Sequence, residues 1–217
     1  LMRIFLDLGL VLGPLGLLGS ERSIMLFFPV FKMRDEKGYS GLVSLYLFIV
    51  SFGVSVVCLV YWFNQEWLIT IFGKNMPEIL AYGALIPFLI IAIAYRDFFD
   101  VVSTTKGRIA FPTFFREVVL RFGYFIAVLL FGFKIIGFGG VLLVIIGITT
   151  ANAVLSLIYL KTLGIKFLGD FSFFFKDRSL RKEFIDFSSF QLVMGFALIF
   201  INKIDFFMLG SMSGAGQ

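Results

Sequence analysis

Residues 42–63 read LVSLYLFIVSFGVSVVCLVYWF, a run of 22 without one charged side chain. At about 1.5 Å of rise per residue, a helix of that length matches the ~30 Å hydrocarbon core of a bilayer. A helix that is apolar on every side has no face to offer water. Working outward, the same pattern recurs over 1–18 (continuing as helix through 24–31), 79–102, 111–133, 139–160 and 187–212. Six such stretches in succession predict an all-α, polytopic transmembrane helix bundle of about six spans.

Composition points the same way. Hydrophobic residues make up 59% of the 217-residue chain and charged residues 15%, with 31 phenylalanines. A soluble domain carries about 25% charge to solvate its surface. There is no histidine and one cysteine, Cys58, which removes histidine acid/base chemistry, histidine metal sites, Cys–His nucleophiles and intrachain disulfides. Cys58 lies in an apolar stretch and reads as a small hydrophobe. No cofactor or metal is expected, and no enzyme, because the longest linker is short and basic. The chain starts at Leu1 inside an apolar run and stops at Gln217 soon after a membrane segment, so it reads as a fragment.

The linkers give an orientation. Arg22, Lys32, Arg34 and Lys37 lie between the first two stretches, and only Lys74 between the next two. Lys106 and Arg108 occupy the third linker, Lys134 the fourth, and Lys161, Lys166, Lys176, Arg178, Arg181 and Lys182 the fifth. Under the positive-inside rule this alternation puts 19–40, 105–112 and 161–186 in the cytoplasm, with 64–76 and 134–138 outside. The net charge of +5 then faces anionic lipid headgroups rather than nucleic acid. Within 171–187, phenylalanines alternate with Lys176, Arg178, Arg181 and Lys182, which suits either an interfacial helix or an ordinary basic loop.

Polar residues inside the spans cost energy to bury and carry the functional information. At about 100° per residue, Ser188, Gln191, Gly195, Asn202 and Asp205 fall on one side of the last span. That stripe reads as the lining of a hydrophilic path, with interhelical hydrogen bonding as the alternative. Lys203 sits outside the stripe and can snorkel. Thr149, Asn152, Ser156 and Tyr159 repeat the pattern in the fifth span; Ser40, Ser44, Ser51 and Ser55 of the second read as close-packing contacts. Pro87 is expected to kink the third span. Glu117 and Arg121, one turn apart and acid first, form an expected intrahelical pair. Arg116 and Arg96 read as a cationic cytoplasmic entrance partly neutralised by Asp97 and Asp100, or as salt bridges joining the third and fourth spans. Asp7 stands as a candidate without a role.

At this point the chain resembles a known family. The run Phe27-Phe28-Pro29-Val30-Phe31-Lys32 followed by Asp35-Glu36-Lys37-Gly38 is similar to the end of the second helix and first cytoplasmic loop of bacterial polysaccharide flippases. Pro112-Thr113-Phe114-Phe115-Arg116-Glu117-Val118-Val119-Leu120-Arg121 resembles the start of their fifth helix, and Asn202-Lys203-Ile204-Asp205-Phe206-Phe207-Met208-Leu209-Gly210-Ser211 the outer end of their seventh. One position departs: where many relatives carry a basic residue just before Phe-Phe-Pro, this chain has Leu26.

The resemblance implies the multidrug/oligosaccharidyl-lipid/polysaccharide exporter superfamily, whose fold has two lobes. On that register the chain holds helices two to seven, with 1–160 as five helices of the first lobe, 161–186 as a cytoplasmic interfacial linker and 187–217 as the first helix of the second lobe. The implied activity is translocation of a polyprenyl-pyrophosphate-linked oligosaccharide across the cytoplasmic (inner) membrane for cell-surface polysaccharide synthesis, with a coupling ion as a further partner. Gln191, Asn202 and Asn152 would line the cavity or bond sugar, Arg116 and Arg96 would attract pyrophosphate, and Asp205 would gate or couple an ion. The rivals are a drug/cation antiporter of the same superfamily and a membrane-embedded transferase.

Overall fold

The computed structural model describes the backbone of residues 2–34, 38–72 and 82–213, and the side chains of 5–30, 40–65, 82–172, 174–198 and 201. The described chain is all helical. Helices α1 (Met2–Leu15), α2 (Ser20–Arg34) and α3 (Gly38–Phe72) come first. A 3₁₀ turn at Gly83–Leu85 leads into α4 (Ile86–Thr105). Helix α5 (110–132) is continuous but contains a π-helical turn at Phe115–Val119; α6 (Phe138–Thr162), the short α7 (Ser172–Lys176) and the long α8 (Arg178–Ser213) complete the order.

Three helical stretches are long and apolar enough to cross a membrane: Phe5–Val30, Ser40–Gln65 and Phe138–Thr162. The surface they present fits that reading. Phe52 and Val193 are 59% and 67% exposed, Phe122 65% and Phe133 74%, and exposed apolar area on this scale suits a surface that meets lipid.

α4 sits at the centre and packs against α1, α2, α3 and α6, while α5 lies outside α6 and α8 lies against α2. One core cluster joins Leu42, Tyr46, Phe98, Val102 and Phe184 toward the end that carries the 106–109 and 163–171 loops. A second joins Phe5, Tyr61, Leu89, Ile90, Ala127 and Ile145 toward the opposite end.

The first apolar stretch continues as helix beyond residue 18, but not as one rod. Pro14 has no N–H for the last turn of α1. The chain then tightens, with Gly16, Leu17 and Leu18 N–H groups bonding Gly13, Pro14 and Leu15 carbonyls at 3.0, 3.1 and 3.1 Å. Leu18 (φ 51°) and Gly19 (φ 68°) both adopt left-handed backbone before α2 starts. This break abuts Gly53, midway along the apolar stretch Ser40–Gln65. Most of the expected linker over 19–40 is helical: Ser20–Val30 belongs to a stretch long and apolar enough to cross a membrane, and Glu21 and Arg22 line a cavity within the bundle.

Two further expectations change. Pro87 lies in the first turn of α4, where its missing N–H would have no intrahelical partner in any case, so it starts the helix instead of kinking it. In 171–187, Phe174 does not reach for lipid. It is 6% exposed and packs its ring against Phe184 at 5.4 Å. Leu168 and Phe175, by contrast, are 93% and 57% exposed. Helix α8 begins at Arg178, nearer the linker's start than expected, with the Asp177 carboxylate accepting from Leu180 N–H at 3.1 Å. The Ser172 N–H and hydroxyl, at 2.8 and 3.0 Å, hold the Asp170 carboxyl below the ordinary carboxylate range. Ser44 pins this linker to α3, donating to Phe167 O at 2.6 Å and accepting from Gly169 N–H at 2.7 Å.

Gly19 has no room for a side chain: a Cβ there would strike the Ser188 carbonyl and the Leu192 N–H of α8, both backbone. Gly19→Ala is expected to destabilise the fold by about 2 kcal/mol or more, combining the left-handed penalty with that clash. Gly147, inside α6 with open space around it, is the control; Gly147→Ala should raise stability by up to about 1 kcal/mol. Thermal unfolding in detergent, followed by helical circular dichroism, reads both.

Candidate functional site

The offset at 16–19 turns the first residues of α2 toward the middle of α4, and between them lies a cavity of ≈ 540 Å³. Pro14, Leu15 and Gly19 wall it at the break, Glu21, Arg22 and Met25 from α2, Arg96, Asp97, Asp100 and Thr104 from α4, and Arg116 from α5. Helix α8 closes the remaining side with Gln191, Leu192, Gly195 and Phe196. Its volume is in the range that takes a small ligand.

Each wall charge has its own arrangement. Arg96, 9% exposed at its side chain, donates from Nε and one terminal nitrogen to Asp97 Oδ1 at 2.9 and 2.6 Å. Asp100 accepts from the Ser156 hydroxyl at 3.4 Å. Arg22 donates to Gln191 Oε1 at 3.4 Å, a bond between α2 and α8 across the edge of the cavity. Arg116, half exposed, donates to Glu117 at 3.3 Å. Glu117 also pairs with Arg121, so the expected intrahelical pair is present and shares its carboxylate with a second arginine. The π-helical turn at Phe115–Val119 contains both Arg116 and Glu117. Such a turn inserts one extra residue and rotates what precedes it by about 100°.

The polar stripe of the last span can be followed as far as its side chains are described. Ser188 is buried and its hydroxyl lies 2.7 Å from that of Ser23. Gln191 and Gly195 face the cavity. Asn202 and Asp205 fall outside the described side chains, although their backbone belongs to α8. Asn152 is placed differently from expectation. It is 3% exposed and is not among the residues that wall the cavity, and its amide nitrogen has no hydrogen-bond partner among the described residues. Its face of α6 is used for helix contact: Thr149 bonds Tyr124 at 3.0 Å, Ser156 bonds Asp100, and Tyr159 stacks on Phe111 at 3.9 Å. α6 therefore braces α4 and α5 from behind the wall. Asp7 is likewise buried and is not among the residues that wall the cavity.

Glu21 and Arg22 are the wall residues that sequence reasoning missed, because they were assigned to a loop. The signal was present: Ser20-Glu21-Arg22-Ser23 runs into Ile24-Met25-Leu26-Phe27 with no turn-forming residue after Gly19. Four residues before the departing Leu26, and so on the same helical face, Arg22 reaches the cavity while Leu26 is 56% exposed.

No known family, curated protein or solved structure matches this chain.

The α2–α8 contact is testable directly. In a Cys58→Ala background, a Ser23→Cys, Ser188→Cys double variant is expected to form an oxidant-induced disulfide, since the two hydroxyls are within 2.7 Å and helix backbones this close permit the bridge. Ser23→Cys paired with Val193→Cys, which points away from α2, should not crosslink. The readout is a gel-shift of protease-nicked protein.

Proposed function

We propose that the protein translocates a polyprenyl-pyrophosphate-linked oligosaccharide from the inner to the outer leaflet of the cytoplasmic membrane by alternating access. The observation that carries this reading is the convergence of three guanidinium groups, Arg22, Arg96 and Arg116, from three different helices on one cavity inside a helical bundle. Polar groups crossing hydrocarbon cost several kcal/mol each when unsatisfied. A lipid-linked glycan presents just that load, and guanidinium forks match phosphate oxygens in pairs.

On this reading α4, α5 and α8 cross beside the three apolar stretches, giving about six spans in the inner membrane, with 105–112 and 161–186 cytoplasmic and 134–138 outside. The α1–α6 helices belong to one lobe and α8 to the other, joined by the linker that Ser44 pins to α3. Arg22, Arg96 and Arg116 hold the pyrophosphate, and Gln191 bonds the first sugar. Asn202 and Asp205 extend the same face of α8 outward, Asp205 as gate or ion-coupling carboxylate. Asn152 serves by supporting α4 from behind.

A cation antiporter is the second reading, and one observation favours it: Glu21, Asp97 and Asp100 equal the arginines in number on the cavity wall. Reconstitution in liposomes separates the two. With a fluorescent lipid-linked oligosaccharide, Arg96→Ala and Arg116→Ala are expected to slow flipping about 10- to 100-fold, the worth of one charge-assisted hydrogen bond of about 1.5–3 kcal/mol. Unchanged rates in both variants would remove the arginines from the mechanism, and exchange of an organic cation with no flipping would favour the antiporter.

A further inference from the structure

The cavity wall carries three guanidiniums, Arg22, Arg96 and Arg116, against three carboxylates, Glu21, Asp97 and Asp100, so its formal charge sums to zero before any ligand enters. A pyrophosphate-bearing ligand adds about two negative charges to this balance. Uncompensated charge in a site walled by hydrocarbon is expensive, and proteins relieve it by changing protonation.

The three carboxylates are not equally committed. Asp97 accepts two hydrogen bonds from Arg96, and Asp100 accepts one from Ser156. Glu21 makes no hydrogen bond or ion pair among the described residues; Asp97 and its own neighbour Arg22 are the charges that bear on it. The groups around it can be read element by element. α4 presents Arg96, Asp97 and Asp100, α5 presents Arg116, and α8 presents the neutral Gln191, already bonded to Arg22. α3 presents Tyr46, which is fully buried, whose hydroxyl has no hydrogen-bond partner among the described residues, and which feels the charges of Glu21 and Asp97.

We infer that binding of the anionic phosphate ligand in this cavity is coupled to uptake of one proton by Glu21, which restores the charge balance that the ligand disturbs. The inference rests on the pyrophosphate reading given above. The step is simple: a solvent proton adds to the Glu21 carboxylate as the phosphate engages Arg22 and Arg96, and it returns to solvent when the ligand leaves. Linkage is reciprocal, so a ligand that draws a proton in must bind more weakly as pH rises.

Inorganic pyrophosphate is the probe, titrated calorimetrically into the protein in nanodiscs near pH 8 in two buffers of different ionisation heat. After correction for the ligand's own ionisation, the wild type is expected to take up about one proton, and its Kd to rise about tenfold per pH unit above neutrality. Glu21→Gln should bind pyrophosphate without that uptake and without the slope. Glu183→Gln, an exposed carboxylate outside the cavity wall, should keep both, and Glu21→Ala is the second test should Glu21→Gln fold poorly. Binding without proton uptake, or uptake that survives loss of the Glu21 carboxylate, or uptake lost in Glu183→Gln, would overturn the coupling while leaving the anion site standing. Failure of the wild type to bind pyrophosphate would overturn the anion reading and this inference together.

Discussion

Backbone packs against backbone at residues 16–19, and the cavity exists because of it. A helix interrupted at membrane depth must find partners for its freed carbonyls, or pay several kcal/mol for each. Here the tight turns from Gly13 to Leu18 and the Ser20 hydroxyl, which donates to Leu17 O, absorb most of them. Glycine lets the rest close up. Gly16 meets Gly53 of α3, and Gly19 meets the α8 backbone at Ser188 and Leu192. The break displaces α2 from the line of α1, and that displacement aims Glu21 and Arg22 at the charged turn of α4. An uninterrupted rod would carry them on a different face.

The consequence is a cavity whose polarity comes from four elements but whose rigidity comes from one. α4 is buried along nearly its whole length, and even Arg96 and Asp100 are 7% and 8% exposed. Tyr46 of α3 packs on its Phe98 with ring centres 4.8 Å apart, and α6 braces it on the other side through Ser156. α8 is held more lightly, by the Ser23–Ser188 hydroxyl contact, the Arg22–Gln191 bond and the Phe27–Phe184 rings at 5.6 Å. On the proposed reading that asymmetry is useful. A firmly packed lobe keeps the phosphate-binding charges in place, and a helix attached by a few polar contacts can part from it when the cavity opens.

Much of this was legible from residue order, and the reasons differ from element to element. The apolar length of 42–63 and 139–160 is a one-dimensional property, so it reads directly and reappears as two of the three membrane-length stretches. The Glu117–Arg121 pair is local, fixed by helical spacing alone. The polar stripe of α8 is periodic, and Ser188, Gln191 and Gly195 do turn inward together. What failed was whatever depends on three-dimensional company. Glu21 and Arg22 read as loop charges because charge normally ends a span, and only the cavity that they share with α4 shows them walled into the bundle. Asn152 shared a polar face with Ser156, but that face meets α4 instead of the cavity. Pro87 was read as a kink because the start of its helix could not be placed to within a turn. The π-helical turn that carries Arg116 has no sequence signature to read.

The central claim is that the polar side of α8 looks onto a wet cavity shared with the arginines of α2, α4 and α5, while its opposite side meets hydrocarbon. Thiol accessibility measures this most directly. In a Cys58→Ala background, single cysteines at Gln191 and Val193 can be challenged with a charged, membrane-impermeant maleimide in inside-out and right-side-out vesicles. The account predicts that the cysteine at 191 reacts from one side and is protected by pyrophosphate, and that the cysteine at 193 stays unreacted from both. A silent position 191 beside a reactive 193 would mean that the stripe is a dry contact or faces lipid, and the account would be wrong.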